Sequence, residues 1–525
     1  MLNISLTGVY TEEPFEHLGL ESIATYLRQY GYNINLNILS TSMNIDEAYS
    51  KIGRTCHFYG FSLSYTNAKF VYSLCEKIKI DNNESIIFVG GQFATLCSAE
   101  ILDDCPFIDF IILGDGELTL KDLCDYYSEK KVIKDSIHVF RREDFNSSAK
   151  IPMLLDEKNF IQISHTLLDD KILKNVYAAR IYTARGCCAS CSFCAHDCYS
   201  KANDKKWRGR NIEDVFNEIV SIYKQYNKRI FMISDSSFED PGELGKARIN
   251  KLCDMLLAYP VKFSLTCFFR AESFKEKDKW LLQKMKKAGF NMVYIGIESL
   301  DKNDLSFFNK RATPKDNYEC IKLFKECNID VFPGFIMLNP ISTKYSLRIN
   351  YNFLIDTKQY LPFIYKSKLF VYKGTVIEKK TRELGLLKSS YSYLDPEEYD
   401  FQDEYVRELD RFITKELSNL EFNSLELDFI NYEQLFKHII SLYSEETEDI
   451  KDIFDETKSE MYNLLAAYYK HLYVDYKIDN ALKDKCDFTN QMLNVLKRYK
   501  VKKFSTFKHP VINAFITKNM SRLNY

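Results

Sequence analysis

The chain has 525 residues, 46% hydrophobic and 27% charged, with a formal net charge of −2. Such proportions belong to a folded chain of roughly three or four domains and exclude wholesale disorder or a fibrous repeat. A near-neutral balance also excludes a global basic field for nucleic acid or anionic membrane. No apolar run reaches the roughly 18 residues of a transmembrane helix, and MLNISLTGVY lacks the basic head and long apolar stretch of a signal peptide. The expected setting is soluble and cytoplasmic, without membrane insertion. LNISLTGV (2–9) reads as a strand, and Leu20, Ile23, Ala24 and Leu27 mark a helix after it. INLNILS (34–40), FYGFSLS (58–64), IIFVGG (86–91) and DFIILGD (109–115) follow as short apolar runs, each trailed by a helical stretch. This alternation predicts a doubly wound, Rossmann-like parallel α/β sheet over 1–130.

Residues 131–176 are polar, lack a clear period and read as a connector, with a short strand at IHVF (137–140). A second alternation begins near 177. Its candidate strands are AARIYTA (178–184), RIFMIS (229–234), KFSLTCFF (262–269), MVYIGIE (292–298), DVFPGFIM (330–337) and IYKSKLF (364–370). Ile212, Val215, Phe216, Ile219 and Val220 stripe one intervening helix; Leu281, Leu282, Met285 and Ala288 stripe another, with Gly289 as its stop. Six such units over 177–375 predict a partial (β/α)6 barrel of the TIM type, with its chemistry at the carboxyl ends of the strands. From 376 to 525 the texture is that of a helical region, with EYVRELDRFITKEL (404–417) and ETKSEMYNLLAAYYKHLY (456–473) as its clearest helices. The basic stretch from Lys497 to Lys503 reads as a solvated helix face.

The 15 cysteines are an odd number in a chain that is neither small nor apparently secreted, so a disulfide framework does not fit. Cys56, Cys75, Cys97, Cys124, Cys253, Cys267, Cys320 and Cys327 lie in apolar runs and read as small hydrophobes. Five others crowd into residues 187–198. Cys187, Cys191 and Cys194 form C-x3-C-x2-C directly after a predicted strand. Three thiolates on one short loop can converge on a metal. Zinc would want a fourth ligand, for which Cys188, Cys198 or His196 is available. A 4Fe–4S cluster held by three thiolates instead keeps one iron open to a chelating ligand.

On these residues the chain resembles the radical S-adenosylmethionine superfamily, in the class with an N-terminal cobalamin-binding domain. Cys191-Ser192-Phe193-Cys194-Ala195-His196 and Trp207-Arg208-Gly209-Arg210 resemble that family's cluster loop and the basic segment after it. Lys286-Lys287-Ala288-Gly289 and Tyr294-Ile295-Gly296-Ile297-Glu298-Ser299 resemble its fourth barrel strand, and Tyr372-Lys373-Gly374-Thr375 the barrel's end. His17-Leu18-Gly19-Leu20, Ser62-Leu63-Ser64, Gly90-Gly91 and Gly114-Asp115-Gly116-Glu117 resemble the cobalamin domain, although the Asp-x-His-x-x-Gly signature is absent and Gly-Asp-Gly-Glu stands where Gly-Glu-Gly-Glu is commoner.

The resemblance implies three cofactors: a 4Fe–4S cluster on Cys187, Cys191 and Cys194, S-adenosylmethionine on its open iron, and cobalamin. It implies S-adenosylmethionine contacts from Phe193, Asp235, Ser236, Arg270 and Glu298, and cobalamin contacts from Ser62, Ser64, Gly90, Gly91, Gly114, Gly116 and Glu117. The implied activity is methylation of an unactivated carbon through a deoxyadenosyl radical and methylcobalamin. Cyclisation, rearrangement or cross-linking without methyl transfer is the alternative, and a non-catalytic zinc scaffold a remote one. Implied partners are a small-molecule or peptide substrate and an electron donor such as flavodoxin or ferredoxin, with no nucleic acid. The C-terminal region is the candidate cap over the substrate.

Overall fold

The computed structural model describes residues 2–11, 14–128, 138–146, 150, 152–196, 206–418, 420–443, 447–507, 510 and 512–513. The chain divides into two compact units. One comprises Met1–Asn227, Tyr372–Lys379 and Ser390–Pro396; the other Lys228–Val371, Lys380–Ser389 and Glu397–Tyr525.

The first unit is built on a six-stranded sheet in the order β2-β1-β3-β4-β5-β6. Its strands are β1 (Asn3–Tyr10), β2 (Asn33–Ser40), β3 (Phe58–Ser62), β4 (Ile86–Gly90), β5 (Phe110–Ile112) and β6 (Val139–Phe140). The first five run parallel and β6 pairs antiparallel with β5. Helices α1 (Leu18–Gln29), α2 (Ile45–Ile52), α3 (Ala68–Asp81), α4 (Gln92–Leu96), α5 (Ser98–Asp104) and α6 (Glu117–Tyr127) connect them.

Strand alternation sends Ile4, Leu6, Phe88, Phe110 and Ile112 to a core shared with α1 and α6. It sends Val9, Tyr59, Phe61, Ile87, Val89 and Ile111 to one shared with α2 and α3. Both faces are covered, as an internal parallel sheet requires. Cys75 and Cys97 lie in the second core and Cys124 in the first, as the hydrophobe reading expects, and Cys105 joins the second core. The connector is anchored by His165. Its imidazole pairs with Glu16, and its Nε2 lies 2.9 Å from Glu218. Burial alone would lower the His165 pKa, but these two carboxylates raise it to about 10.

The predicted strand over 178–184 is divided in the structure. β7 (Ala179–Ile181) is followed by β8 (Ala184–Gly186), which pairs antiparallel with β9 (Trp207–Gly209). β8 and β9 form the neck of the loop that carries the clustered cysteines. Cys198 lies outside the described residues.

In the second unit β10 (Ile230–Ile233), β11 (Ser264–Arg270), β12 (Phe290–Glu298) and β13 (Asp330–Phe335) are parallel neighbours in that order. Helices Gly242–Ala258, Lys279–Ala288 and Pro314–Glu326 alternate with them, and Gly289 ends the second of these, as its sequence predicts. The sixth predicted strand shrinks to a single bridge between Leu338 and Lys368. Pro362, at the start of a helical turn over Pro362–Tyr365, uses up its first residues.

The C-terminal region is helical, in Glu404–Phe412, Asn423–Leu442, Glu448–Tyr473 and Ile478–Phe507. Its basic stretch is spent on acidic neighbours: Arg498 pairs with Glu460, Lys502 with Glu456 and Lys503 with Asp428. Among the described residues no helix is long and apolar enough to cross a membrane.

Candidate cofactor sites

Cys187, Cys191 and Cys194 follow β8 within one short loop, each partly exposed and none in a disulfide. The amide of Cys194 donates to the Cys191 carbonyl at 3.1 Å, folding the last two thiols onto one turn. The amide of Ala189 lies 3.4 Å from the Cys187 Sγ. Amide donation to sulfur favours thiolate, the form a metal ligand needs. A three-thiol donor set on accessible backbone fits an iron–sulfur cluster with one open iron. Gly186 has a φ of 94°, and a Cβ there would lie 1.9 Å from the Lys206 carbonyl, so the neck closes only on glycine. Phe193 stands half-buried between the last two ligands. Cys188 is also partly exposed, whereas His196 is buried, its Nδ1 3.3 Å from Gln92 Nε2.

The turns of the α/β sheet divide into two kinds. Ser62 and Gly90 close β3 and β4, side by side in register. Ser64 and Gly91 follow them, and Gly91 is exposed with a φ of 104°. A Cβ on Gly91 would make only ordinary van der Waals contact, 3.7 Å from the Leu63 carbonyl and from Ser62 Oγ, so this exposed end of the sheet is not filled by close packing and is bordered by hydroxyls. Such an end suits a large flat ligand beyond the carboxyl ends of parallel strands.

The turn after β5 is occupied by protein. A Cβ on Gly114 would lie 2.1 Å from the Met153 carbonyl, and one on Gly116 2.8 Å from Ile23 Cδ1. Glu117 is buried. Its Oε1 accepts from Arg185 Nη2 at 2.6 Å and from Ser22 Oγ at 2.6 Å. Asp115 accepts from Arg208 Nη1 at 2.5 Å and from the Leu155 amide at 2.8 Å, and lies 3.3 Å from Arg185 Nη1. Burial works against the Asp115 charge, yet Arg185 and Arg208 hold its pKa below the ordinary carboxylate range. Sequence similarity alone assigned Gly114, Gly116 and Glu117 to cobalamin. In the structure Gly114 and Gly116 pack closely against Met153 and Ile23, and Glu117 is paired with Arg185 and Ser22.

In the second unit Glu298 ends β12 with a φ of 63°, a left-handed backbone that a glutamate rarely adopts. The register with β13 shifts at this point. The shift aims the carboxylate back along the strand, so that a Cβ on Gly296 would lie 2.6 Å from Glu298 Oε1. Gly296 faces Gly334 across the strand pair, which leaves two neighbouring positions without side chains beside the carboxylate. Lys310 Nζ stands 3.5 Å from Glu298 Oε1 and donates to the Gly296 carbonyl at 3.0 Å. Burial pushes the Glu298 pKa up, and Lys310 offsets this only in part. A strained acceptor at a strand end fits a ligand that brings paired hydroxyls.

The other predicted S-adenosylmethionine contacts differ in availability. Asp235, just after β10, is buried, and Ser236 next to it is exposed. Arg270 ends β11 and is held by acids: Nη2 lies 2.7 Å from Asp240 Oδ1, and Nε 3.3 Å from Glu239 Oε1 and 3.4 Å from Glu272 Oε1. Sequence reading missed Glu239 and Asp240. They follow β10 and are unpatterned in the sequence until the parallel strands bring them beside Arg270.

The C-terminal helix Asn423–Leu442 reaches the amino half of this sheet. His438 pairs with Ser264 Oγ at 2.7 Å and Thr266 Oγ1 at 3.3 Å, and Lys437 Nζ lies 3.2 Å from Asp330, the first residue of β13. These contacts seat the helix toward the strand starts, away from Glu298 at a carboxyl end.

A profile for the B12 binding domain matches residues 5–124, and one for the radical SAM superfamily matches residues 181–344. An uncharacterized methyltransferase of Pyrococcus horikoshii is 26% identical over 415 residues, covering 76% of this chain and 82% of that protein. The anaerobic magnesium-protoporphyrin IX monomethyl ester cyclase of Cereibacter sphaeroides is 26% identical over 281 residues, covering 51% of this chain and 44% of the cyclase. Among solved structures, the cobalamin-dependent S-adenosylmethionine radical enzyme OxsB with aqua-cobalamin and S-adenosylmethionine bound shares the fold. Its TM-score is 0.68 at 16% identity, over 99% of this chain and 85% of that one. With both domain matches in chain order and the thiol loop inside the second, the chain belongs to the radical S-adenosylmethionine superfamily, in the class that carries a B12-binding domain ahead of the radical domain.

Proposed function

We propose that the protein is a cobalamin-dependent radical S-adenosylmethionine methyltransferase acting on an unactivated carbon of a small molecule or peptide. The observation that carries this reading is two candidate cofactor sites on one chain: the thiol loop between β8 and β9, and the glycine- and serine-ended strands β3 and β4. When bound, the cluster with S-adenosylmethionine supplies hydrogen abstraction, and cobalamin supplies a transferable methyl group.

The chain's own residues do the rest. Cys187, Cys191 and Cys194 hold the cluster. Glu298 accepts the ribose hydroxyls, and Gly296 leaves room for its carboxylate. Phe193 packs beside it, while Asp235 and Ser236 border it at the end of β10. Arg270 acts at one remove, fixed by Asp240 and Glu239. Ser62, Ser64, Gly90 and Gly91 receive the cobalamin. An external one-electron donor of the flavodoxin or ferredoxin type serves the cluster.

The similarity to a cyclase keeps a second outcome in view, ring formation or rearrangement without methyl transfer. One experiment separates the two. Reduced, reconstituted enzyme is incubated with host-cell extract and S-adenosylmethionine carrying a deuterated methyl group. Methyl transfer yields S-adenosylhomocysteine, deoxyadenosine and a product bearing the label. Deoxyadenosine with an unlabelled, hydrogen-depleted product would establish the second outcome instead.

A further inference from the structure

The loop that carries the three cysteines is fastened on both sides by residues of the α/β domain. On its leading side stands Arg185, two residues before Cys187. Arg185 and Arg208 face each other across the β8–β9 pair. Two like charges directly opposed on a two-stranded neck repel. Arg208 is buried and Arg185 half-buried, which makes the repulsion costlier. Asp115 lies against both guanidiniums, and Glu117 takes the remaining edge of Arg185. Asp115 is itself fixed by its neighbours. Its amide donates to the Met153 carbonyl at 2.8 Å, and its Oδ2 accepts from the Leu155 amide.

On the trailing side, two residues after Cys194, His196 meets Gln92, the first residue of α4. Gln92 directly follows Gly90-Gly91. The cysteine loop is thus bracketed by two turns of the α/β sheet: the one after β4 and the one after β5.

We propose that Arg185 and His196 are positioning residues that seat the cysteine loop on the α/β domain, so that Asp115, Glu117 and Gln92 set the geometry of the cluster. The proposal rests on the reading of Cys187, Cys191 and Cys194 as cluster ligands. It assigns the Gly114–Glu117 turn a task other than ligand contact: neutralising the arginine pair at the neck.

The test uses the full chain purified anaerobically, with iron and sulfide content and the electron paramagnetic resonance spectrum of the reduced cluster as readouts. Asp115→Asn removes the charge between the arginines and is expected to lose most of the iron and sulfide. Adding Arg208→Met to it removes the opposing charge and is expected to restore most of both. Glu117→Gln is the milder variant should Asp115→Asn fail to fold. It and Gln92→Ala are expected to keep a cluster with a shifted spectrum, a readout that a purely structural role would leave unmoved. Full iron and an unchanged spectrum in Asp115→Asn, Glu117→Gln and Gln92→Ala would overturn the proposal, as would iron loss in Asp115→Asn that Arg208→Met does not repair. Cys191→Ala tests the premise separately. If it retains the wild-type iron, the cysteine assignment has failed, whatever the seat does.

Discussion

Glu117 and Glu298 make an instructive pair, one in each compact unit. Glu117 stands after β5 and Glu298 ends β12, each on a parallel sheet, and sequence similarity assigned both to cofactors. Their surroundings differ. Glu117 is locked, with Arg185 and Ser22 each 2.6 Å from the same oxygen. Glu298 is lightly held, with Lys310 at 3.5 Å, on a strained backbone beside two glycines. A carboxylate already satisfied by a guanidinium is part of the scaffold. One whose charge is opposed by burial and only partly supported by a lysine, with strain left in its backbone, is positioned for a ligand. A motif match names the residue; the distances to its partners decide its task.

Four experiments break or sharpen this contrast, beginning with the largest effect. Cys191→Ala removes one of three cluster ligands and is expected to abolish the bound iron, measured on anaerobically purified protein. Glu298→Gln follows. Loss of charged hydrogen bonds worth ~1.5–3 kcal/mol weakens S-adenosylmethionine binding by roughly 10- to 100-fold. Iron and corrinoid contents stay unchanged, unlike the iron content of Asp115→Asn. Because burial raises the Glu298 pKa, the wild-type affinity should fall with decreasing pH sooner than an ordinary glutamate would allow. Calorimetry across pH should find the Glu298→Gln affinity flat over the same range.

Gly91→Ala comes third. A side chain at a φ of 104° costs about 1–3 kcal/mol. Corrinoid retention is expected to drop while iron stays, and an equal loss of both would contradict the separate tasks given to the two turns.

The smallest effect concerns His438. Burial, reinforced by Lys437, lowers its pKa from 6.5 to about 3. A depressed pKa means that the neutral imidazole stabilises the fold above pH 6.5. That contribution fades as pH falls from 6.5 toward 3, by up to about 1.4 kcal/mol per unit. His438→Gln should therefore melt at a lower temperature at neutral pH and lose less on acidification than the wild type. Parallel melting curves across pH would remove the histidine from the account.

Much of the architecture was legible because it is periodic. Strands such as IIFVGG and helices such as Ile212–Tyr226 announce themselves within a dozen residues, and the C-x3-C-x2-C spacing is local. The hidden parts are those assembled over distance. β8 and β9 are only three residues each and pair across a 20-residue loop, so neither has a period to read. The ion pairs of Arg185 join residues about 70 positions apart in the chain. Arg270 reads as a free cation at a strand end until Asp240, 30 residues earlier, is brought against it. The C-terminal helices were legible, but their seat was not. His438 shows no sequence signal for the hydroxyls of Ser264 and Thr266.

The measurement closest to the central claim is a joint count of iron, sulfide and corrinoid on one sample, purified anaerobically from cells supplied with iron and cobalamin. The account predicts about four irons, four sulfides and one corrinoid per chain. It also predicts that Cys191→Ala loses the iron and Gly91→Ala the corrinoid. Full iron with no corrinoid, even after reconstitution, would contradict methyl transfer through cobalamin. It would leave the sheet end at β3 and β4 without the ligand assigned to it.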